Sequence, residues 1–337
     1  MSASSEPLHS LLDLLRARST VDCDTLDAAV AHERGPFADC TSNQAIACAE
    51  LQEHRHKELL QRAATLAKEL HPKYSDVELK TLAVEIGMIL LVLQIAPHLT
   101  GFVHIQANPF DSYNAARTVA GAQRIVALFR AVEPRFDTSR VCIKIASTWE
   151  GLQACRALQA AGIETLATTL FTLEQAALAA EAGCRYVAPY VNELKVHFDK
   201  SYCDPAPNLA LCVQTQRYLQ HHSYRTAVLP ASLTNITECL SLAGVAHITV
   251  PPALLRELAS TPALDPSAFP SLFDDAKLAK LGMPEKLACV REESAWRMAF
   301  TRSGKGVQEK KIVQAINIFC DMQGKLEEVM GAVLGGS

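Results

Sequence analysis

Along most of the chain, short runs of apolar and β-branched residues alternate with longer stretches in which apolar positions recur at helical spacing. Runs of the first kind lie at 20–25, 37–43, 102–108, 141–148, 164–171, 186–191, 226–232 and 247–251, and predict strands. Between them, 148–161, 172–183 and 234–244 read as amphipathic helices, each ending next to an Ala-Gly pair that suits a helix C-terminus. Repeated strand-then-helix units predict a parallel sheet with helices outside it. Eight such units close into a single (β/α)8 TIM barrel of the α/β class. An open doubly wound sheet is the competing architecture, but no Gly-x-Gly-x-x-Gly turn follows an early strand and no P-loop pattern occurs. There is no internal repeat or low-complexity linker, so one domain is expected over 1–337. The barrel falls at about 20–260, and C-terminal helices at about 271–333. Segments 10–18 and 307–333 read as flanking helices, and 262–270 as the loosest loop.

Composition narrows the class. A formal net charge of −4 over 337 residues gives no basic surface for a phosphate backbone, so nucleic acid is a poor partner. The most apolar run, 86–97, is too short to span a bilayer and reads as a buried helix; no secretory leader pattern opens the chain. The eleven cysteines are odd in number and form no Cys-x-x-Cys pair, which suits reduced thiols. A cytoplasmic protein without a membrane partner is the expectation. His54/His56 and His221/His222 sit in polar segments that suit solvated surface better than metal ligation.

One strand carries a chemical signal. In Val141-Cys142-Ile143-Lys144-Ile145-Ala146-Ser147-Thr148, alternation puts Ile143 and Ile145 on the helix side and Lys144 on the barrel interior. Burial disfavours an ammonium, and a neutral lysine amine attacks carbonyls to form a Schiff base. A lysine at a sheet edge, or one paired with a buried acid, fits the strand as well.

Lys144-Ile145-Ala146-Ser147-Thr148-Trp149-Glu150-Gly151 resembles the lysine segment of transaldolases. Val21-Asp22-Cys23-Asp24-Thr25 is similar to the first-strand segment of that family, and Asp39-Cys40-Thr41-Ser42-Asn43 to its second-strand motif. Segments 240–244 and 252–258 look like its last barrel units. The resemblance implies a TIM barrel that works through a covalent Schiff base on Lys144, with no cofactor and no metal, and a homodimer. Asp24 would be the acid/base on the reacting hydroxyl. Asn43 would bind substrate beside Thr41 and Ser42. Taken singly, Asp24 and Asn43 also suit turns or caps.

The departures are as specific as the matches. Gln106 stands where the family has a glutamate that orients water, Thr168 keeps the partner threonine, and Tyr190 replaces a phenylalanine. That combination resembles the fructose-6-phosphate aldolase branch, whose members make or cleave the bond to an unphosphorylated ketone. At the family's phosphate-binding serine and two arginines stand Ala188, Glu193 and Thr234, with Ser232 beside the last; Leu166 replaces a sugar-binding asparagine. Exchanging a guanidinium for a carboxylate changes the local charge by about two units and removes bidentate phosphate recognition. Lys195 and Lys200 are nearby cations that offer compensation, although alternation also allows Lys195 to pair with Glu193. His104, on the face of Gln106 but one layer deeper, is either a substrate contact or a satisfied core histidine.

The expected activity is making, breaking or transferring a C–C bond next to a ketone, on a small ketone or aldehyde that lacks the usual sugar phosphate. An ordinary transaldolase acting on sedoheptulose 7-phosphate and glyceraldehyde 3-phosphate is the alternative. A catalytically silent binding barrel is a third reading.

Overall fold

A computed structural model of the chain describes residues 9–265 and 268–335. Eight parallel strands form one sheet: β1 (Thr20–Asp24), β2 (Cys40–Thr41), β3 (Val103–Gln106), β4 (Val141–Ala146), β5 (Glu164–Leu170), β6 (Tyr186–Pro189), β7 (Ala227–Val228) and β8 (His247–Val250). They run in the order β7-β6-β5-β4-β3-β2-β1-β8. The sheet curls on itself: β1 pairs with both β2 and β8, and the Thr249 N–H donates to Pro230 O at 3.3 Å across the remaining seam. The result is a nearly closed (β/α)8 barrel, as the alternation of periods predicts.

Strand alternation divides the apolar residues into two cores. Val103, Ile105, Ile143 and Ile145 point outward and join the large cluster under the helices, whereas Cys142, Leu166, Tyr186, Ala188 and Leu229 form a separate cluster inside the barrel. Two predicted strands are much shorter than expected. β2 stops at Thr41 because Asn43 leaves the ladder to cap the helix Gln44–Leu51. β7 stops at Val228, and beyond it Ser232 takes a left-handed backbone at φ 61°. An isolated bridge, Tyr190 to Ala231, continues the β6–β7 pairing there.

The flanking helices form as predicted. Ser10 and Asp13 make a reciprocal capping box on the helix Leu11–Arg16, whose leucines pack on the helix Pro252–Ser260. Val307–Gly335 is a single long helix. It buries Ile312, Ala315, Ile316, Phe319, Leu326 and Met330 at three- and four-residue spacing against the helices Gln44–Leu51 and Leu79–Ile95. The apolar run spans the end of the helix Leu79–Ile95 and the turn Ala96–His98 after it. Contrary to expectation, Leu79–His98 as a whole is long and apolar enough by composition to cross a membrane, but here Leu82, Ile86, Ile89 and Ile95 are buried in the core. Within the expected loop 262–270, residues 266–267 lie outside the described residues.

The last glycine of the lysine segment has a packing reason. Thr148 caps the helix Trp149–Ala160 by accepting the Gly151 N–H at 2.9 Å, and a Cβ on Gly151 would sit 2.1 Å from Ala146 O. Helix and strand therefore meet backbone to backbone just after Lys144. Gly151→Ala is expected to cost about 1–3 kcal/mol by overpacking, read as a lowered midpoint in urea unfolding.

Candidate active site

Register places Gln106, Lys144 and Leu166 side by side on β3, β4 and β5. Lys144 is 2% exposed, and among the described residues no group hydrogen-bonds or ion-pairs with its Nζ. Burial pulls its pKa below the ordinary lysine value, partly opposed by the Asp24 carboxylate. Lys144 opens onto a cavity of about 260 Å³ at the C-terminal end of the strands, shared with Asp24, Asn43, Tyr190 and Ser232. A more open depression of about 620 Å³ lies at the opposite end, beside Arg16, Thr20 and Ala246, and contains none of these groups.

Each neighbour is held by a definite contact. Asp24 ends β1, and its Oδ1 accepts from Thr41 Oγ1 at 2.7 Å; Thr41 Oγ1 also lies 2.6 Å from Thr249 Oγ1. Asn43 is both a cap and a cavity residue: Oδ1 accepts from the Ile46 N–H at 2.9 Å, which leaves its Nδ2 for a ligand. Thr168 Oγ1 lies 3.3 Å from Tyr190 OH, and burial pushes the Tyr190 pKa well up, so the phenol keeps its proton. Gln106 is buried, and its Oε1 has no hydrogen-bond partner among the described residues. Such an orphaned acceptor costs about 1–3 kcal/mol unless an O–H or N–H reaches it.

Other expected site residues are directed elsewhere. Ser42 Oγ donates to His104 O at 2.7 Å and is fully buried. His104 belongs to the barrel floor, where Nε2 lies 2.9 Å from Asp39 Oδ2. In the same layer Asp22 accepts from the Asp39 N–H and meets His247 Nδ1 at 2.8 Å, and the Tyr186 ring packs between the two histidines. Burial lifts Asp22 to about 6, against the opposing pull of His247. Asp22, Asp39 and His247 bring three potential metal donors within 4.8 Å of one another, but Asp22 and His247 already bond each other, and the Asp39 carboxylate accepts the Phe102 N–H and meets His104. Alternation alone places Asp22 on the interior face with Asp24, and that signal went unused.

The rim departs most from expectation. A 3-10 turn, Leu194–His197, follows β6 in place of extended chain, so period-2 alternation fails there. Lys195 does not pair with Glu193; it pairs with Asp199 at 3.3 Å and covers the Tyr202 ring. Glu193 turns to the long C-terminal helix, with Oε2 accepting from Gln314 at 3.2 Å and Oε1 3.6 Å from Lys311 Nζ. Lys311, 4% exposed, also holds Asp204 at 3.1 Å, and Asp204 accepts the Glu193 N–H. Thr234 is bound through N and Oγ1 to the Glu238 carboxylate, which Asn192 also bridges. Lys200 is exposed. His197, which sequence reasoning missed because a turn carries no period, stands at the cavity mouth with Nε2 2.9 Å from Ser232 Oγ. His56, expected at the surface, is buried instead, because its Nε2 meets Glu50 at 2.7 Å.

Residues 20–314 match the family model described as Transaldolase/Fructose-6-phosphate aldolase. A transaldolase of Shewanella oneidensis is 30% identical, over 97% of this chain and 99% of that protein. One of Yersinia pseudotuberculosis is 30% identical, over 96% and 99% respectively. One of Alteromonas mediterranea is 34% identical, over 76% of this chain and 80% of its own. With the barrel and its interior lysine on the page, these matches place the chain in the transaldolase/fructose-6-phosphate aldolase family, as an enzyme of the transaldolase/aldolase type.

Proposed function

We propose that the protein is a one-domain Schiff-base enzyme that joins, cleaves or transfers a C–C bond beside a ketone carrying no phosphate. The observation that carries the mechanism is an amine buried without a partner among the described residues, opening onto a cavity shared with Asp24 and Asn43. In the forward sense the Lys144 amine adds to the donor ketone and water leaves, giving a protonated Schiff base. The Asp24 carboxylate, through the held water, takes a proton from the adjacent carbon to give an enamine, which attacks the aldehyde carbon of an acceptor. Asp24, as the acid, gives the new alkoxide its proton, and water then hydrolyses the imine and restores the amine. Asn43 Nδ2 donates to a donor hydroxyl. Gln106 and Thr168 with Tyr190 hold the water, and the unpartnered Gln106 Oε1 supports that assignment. No cofactor takes part, and the enzyme acts as a cytoplasmic homodimer.

Incubation with dihydroxyacetone followed by borohydride and peptide mass spectrometry is expected to leave a reduced adduct on Lys144. No adduct with any ketone donor would falsify the reading. Tyr190→Phe is expected to lower kcat for aldol addition about tenfold or more if the phenol serves the water site, as in the fructose-6-phosphate aldolase branch.

Support for a substrate without phosphate comes from the rim, where Glu193, Lys311 and Asp204 satisfy one another. The relatives' shared name supports the second reading, an ordinary transaldolase. A coupled assay with sedoheptulose 7-phosphate and glyceraldehyde 3-phosphate separates the two. Turnover of those phosphates in preference to unphosphorylated substrates would favour the second.

A further inference from the structure

We propose that the mouth of the Lys144 cavity is a subsite for the apolar tail of an uncharged aldehyde acceptor, with Leu194 and Phe198 as its wall and His197 as its polar contact. The inference rests on the Schiff-base reading of Lys144 and adds what the far end of the acceptor must be.

Three observations converge. The first is the lining: Ile46, Leu194, Phe198, Leu233 and Pro252 surround the opening from four separate segments of the chain, and Phe198 leaves 44% of its surface open. A small molecule entering such a wall gains by covering apolar area. The second is charge. Among the described residues that line the cavity there is no arginine, and Lys144, at its inner end, is the only lysine. Of the nearby cations, Lys311 is held by Asp204 and Glu193 and Lys195 by Asp199, and the exposed Lys200 is not among the residues that line the cavity. A phosphate there would lose water without gaining a free guanidinium or ammonium.

The third is His197. Its Nε2 is tied to Ser232 Oγ at 2.9 Å, and Ser232 is itself fixed in a left-handed backbone. The residue is exposed at the mouth, but the groups packed around its ring partly desolvate it and lower its pKa below the ordinary histidine value, against the pull of Asp24 and Glu238, which favours the neutral ring. A neutral imidazole offers one hydrogen bond to an ether, hydroxyl or carbonyl and no charge to an anion. An acceptor with its carbonyl at the lysine end and an aryl or alkyl group at the mouth meets all three conditions.

Two measurements test this. Without chemistry, binding of phenylpropanol and of glycerol phosphate to the full chain is compared by ligand-observed NMR. With chemistry, kcat/KM is compared for phenylpropanal, glyceraldehyde and glyceraldehyde phosphate with dihydroxyacetone as donor. Phenylpropanol is expected to bind at least tenfold more tightly than glycerol phosphate. Phe198→Ala, an exposed position where folding is not at stake, is expected to cut the preference for phenylpropanal over glyceraldehyde about tenfold through KM. Tighter binding of glycerol phosphate, or a preference unmoved in Phe198→Ala, overturns the inference even where borohydride traps a donor on Lys144. Failure to trap any donor overturns the mechanism instead, and the alcohol comparison still decides what the mouth accepts.

Discussion

Lys144→Met is expected to remove C–C bond activity by about 10⁴-fold or more and at the same time to leave the protein more stable. The two effects share one cause. The amine is buried with no hydrogen-bonding partner among the described residues, and burial outweighs the favourable field of Asp24, Cys40 and Cys142. Keeping a polar group in that state costs free energy, and an apolar side chain of similar length removes the cost. A gain of about 1–2 kcal/mol, or a rise of roughly 1–3 °C in Tm, should accompany the loss of turnover. A lysine held only for structure would give the opposite sign in the melt.

The pH profile supplies a third reading of the same group. Because the folded-state pKa lies below that of a free lysine, the nucleophilic form accumulates at lower pH than usual. The rate of Schiff-base formation should therefore rise through an acidic limb centred below the ordinary value near 10.4. An acidic limb at or above that value would count against Lys144 as the nucleophile.

Lys311→Met should produce the largest loss of stability. The ammonium sits between Asp204 and Glu193 and is almost fully enclosed. Its removal leaves two carboxylates facing one another without a cation, and breaking one partner out of a buried ionic group costs about 3–5 kcal/mol. A fall of roughly 4–7 °C in Tm is expected. Burial raises the Asp204 pKa, but the Ala206 and Glu193 N–H groups and the Lys311 ammonium outweigh it and hold the carboxyl below the usual value. A depressed acid contributes stability above its unfolded pKa and loses it as pH falls through the folded one. In the native chain this contribution persists down to about pH 4 and is lost below it. In Lys311→Met the folded pKa of Asp204 should move back toward the unfolded one, so its contribution shrinks, and the less stable protein should unfold at higher pH in an acid titration followed by circular dichroism.

Much of the barrel was legible because its strands obey two simple constraints. Ile143 and Ile145 must face the helices, so Lys144 must face inward, and the structure agrees. Asp24 and Asn43 were legible for a different reason, the resemblance of their segments, and the fold brings both to the same cavity. What failed were inferences that extended a period beyond its element. Segment 37–43 reads as one strand, yet Asn43 is already a helix cap; Lys195 and Glu193 share a face only if the chain stays extended, and it does not. His197 and Lys311 were invisible for lack of any local cue. One stands in a turn, and the other is an ordinary lysine on a polar helix turn until the distant loop folds onto it.

If the cavity mouth takes the acceptor as proposed, that last contact ties the C-terminal helix to ligand choice. The long C-terminal helix holds the segment bearing His197 and Phe198 through Lys311 to Glu193 and through Gln314 to both Glu193 and the Lys195 N–H. Opening of that helix and filling of the cavity mouth are therefore linked equilibria, and the linkage is reciprocal. A ligand that orders the mouth should slow hydrogen exchange in the first turns after Val307. Conversely, a change confined to the tail should alter which acceptors are taken up, without touching a residue that meets them.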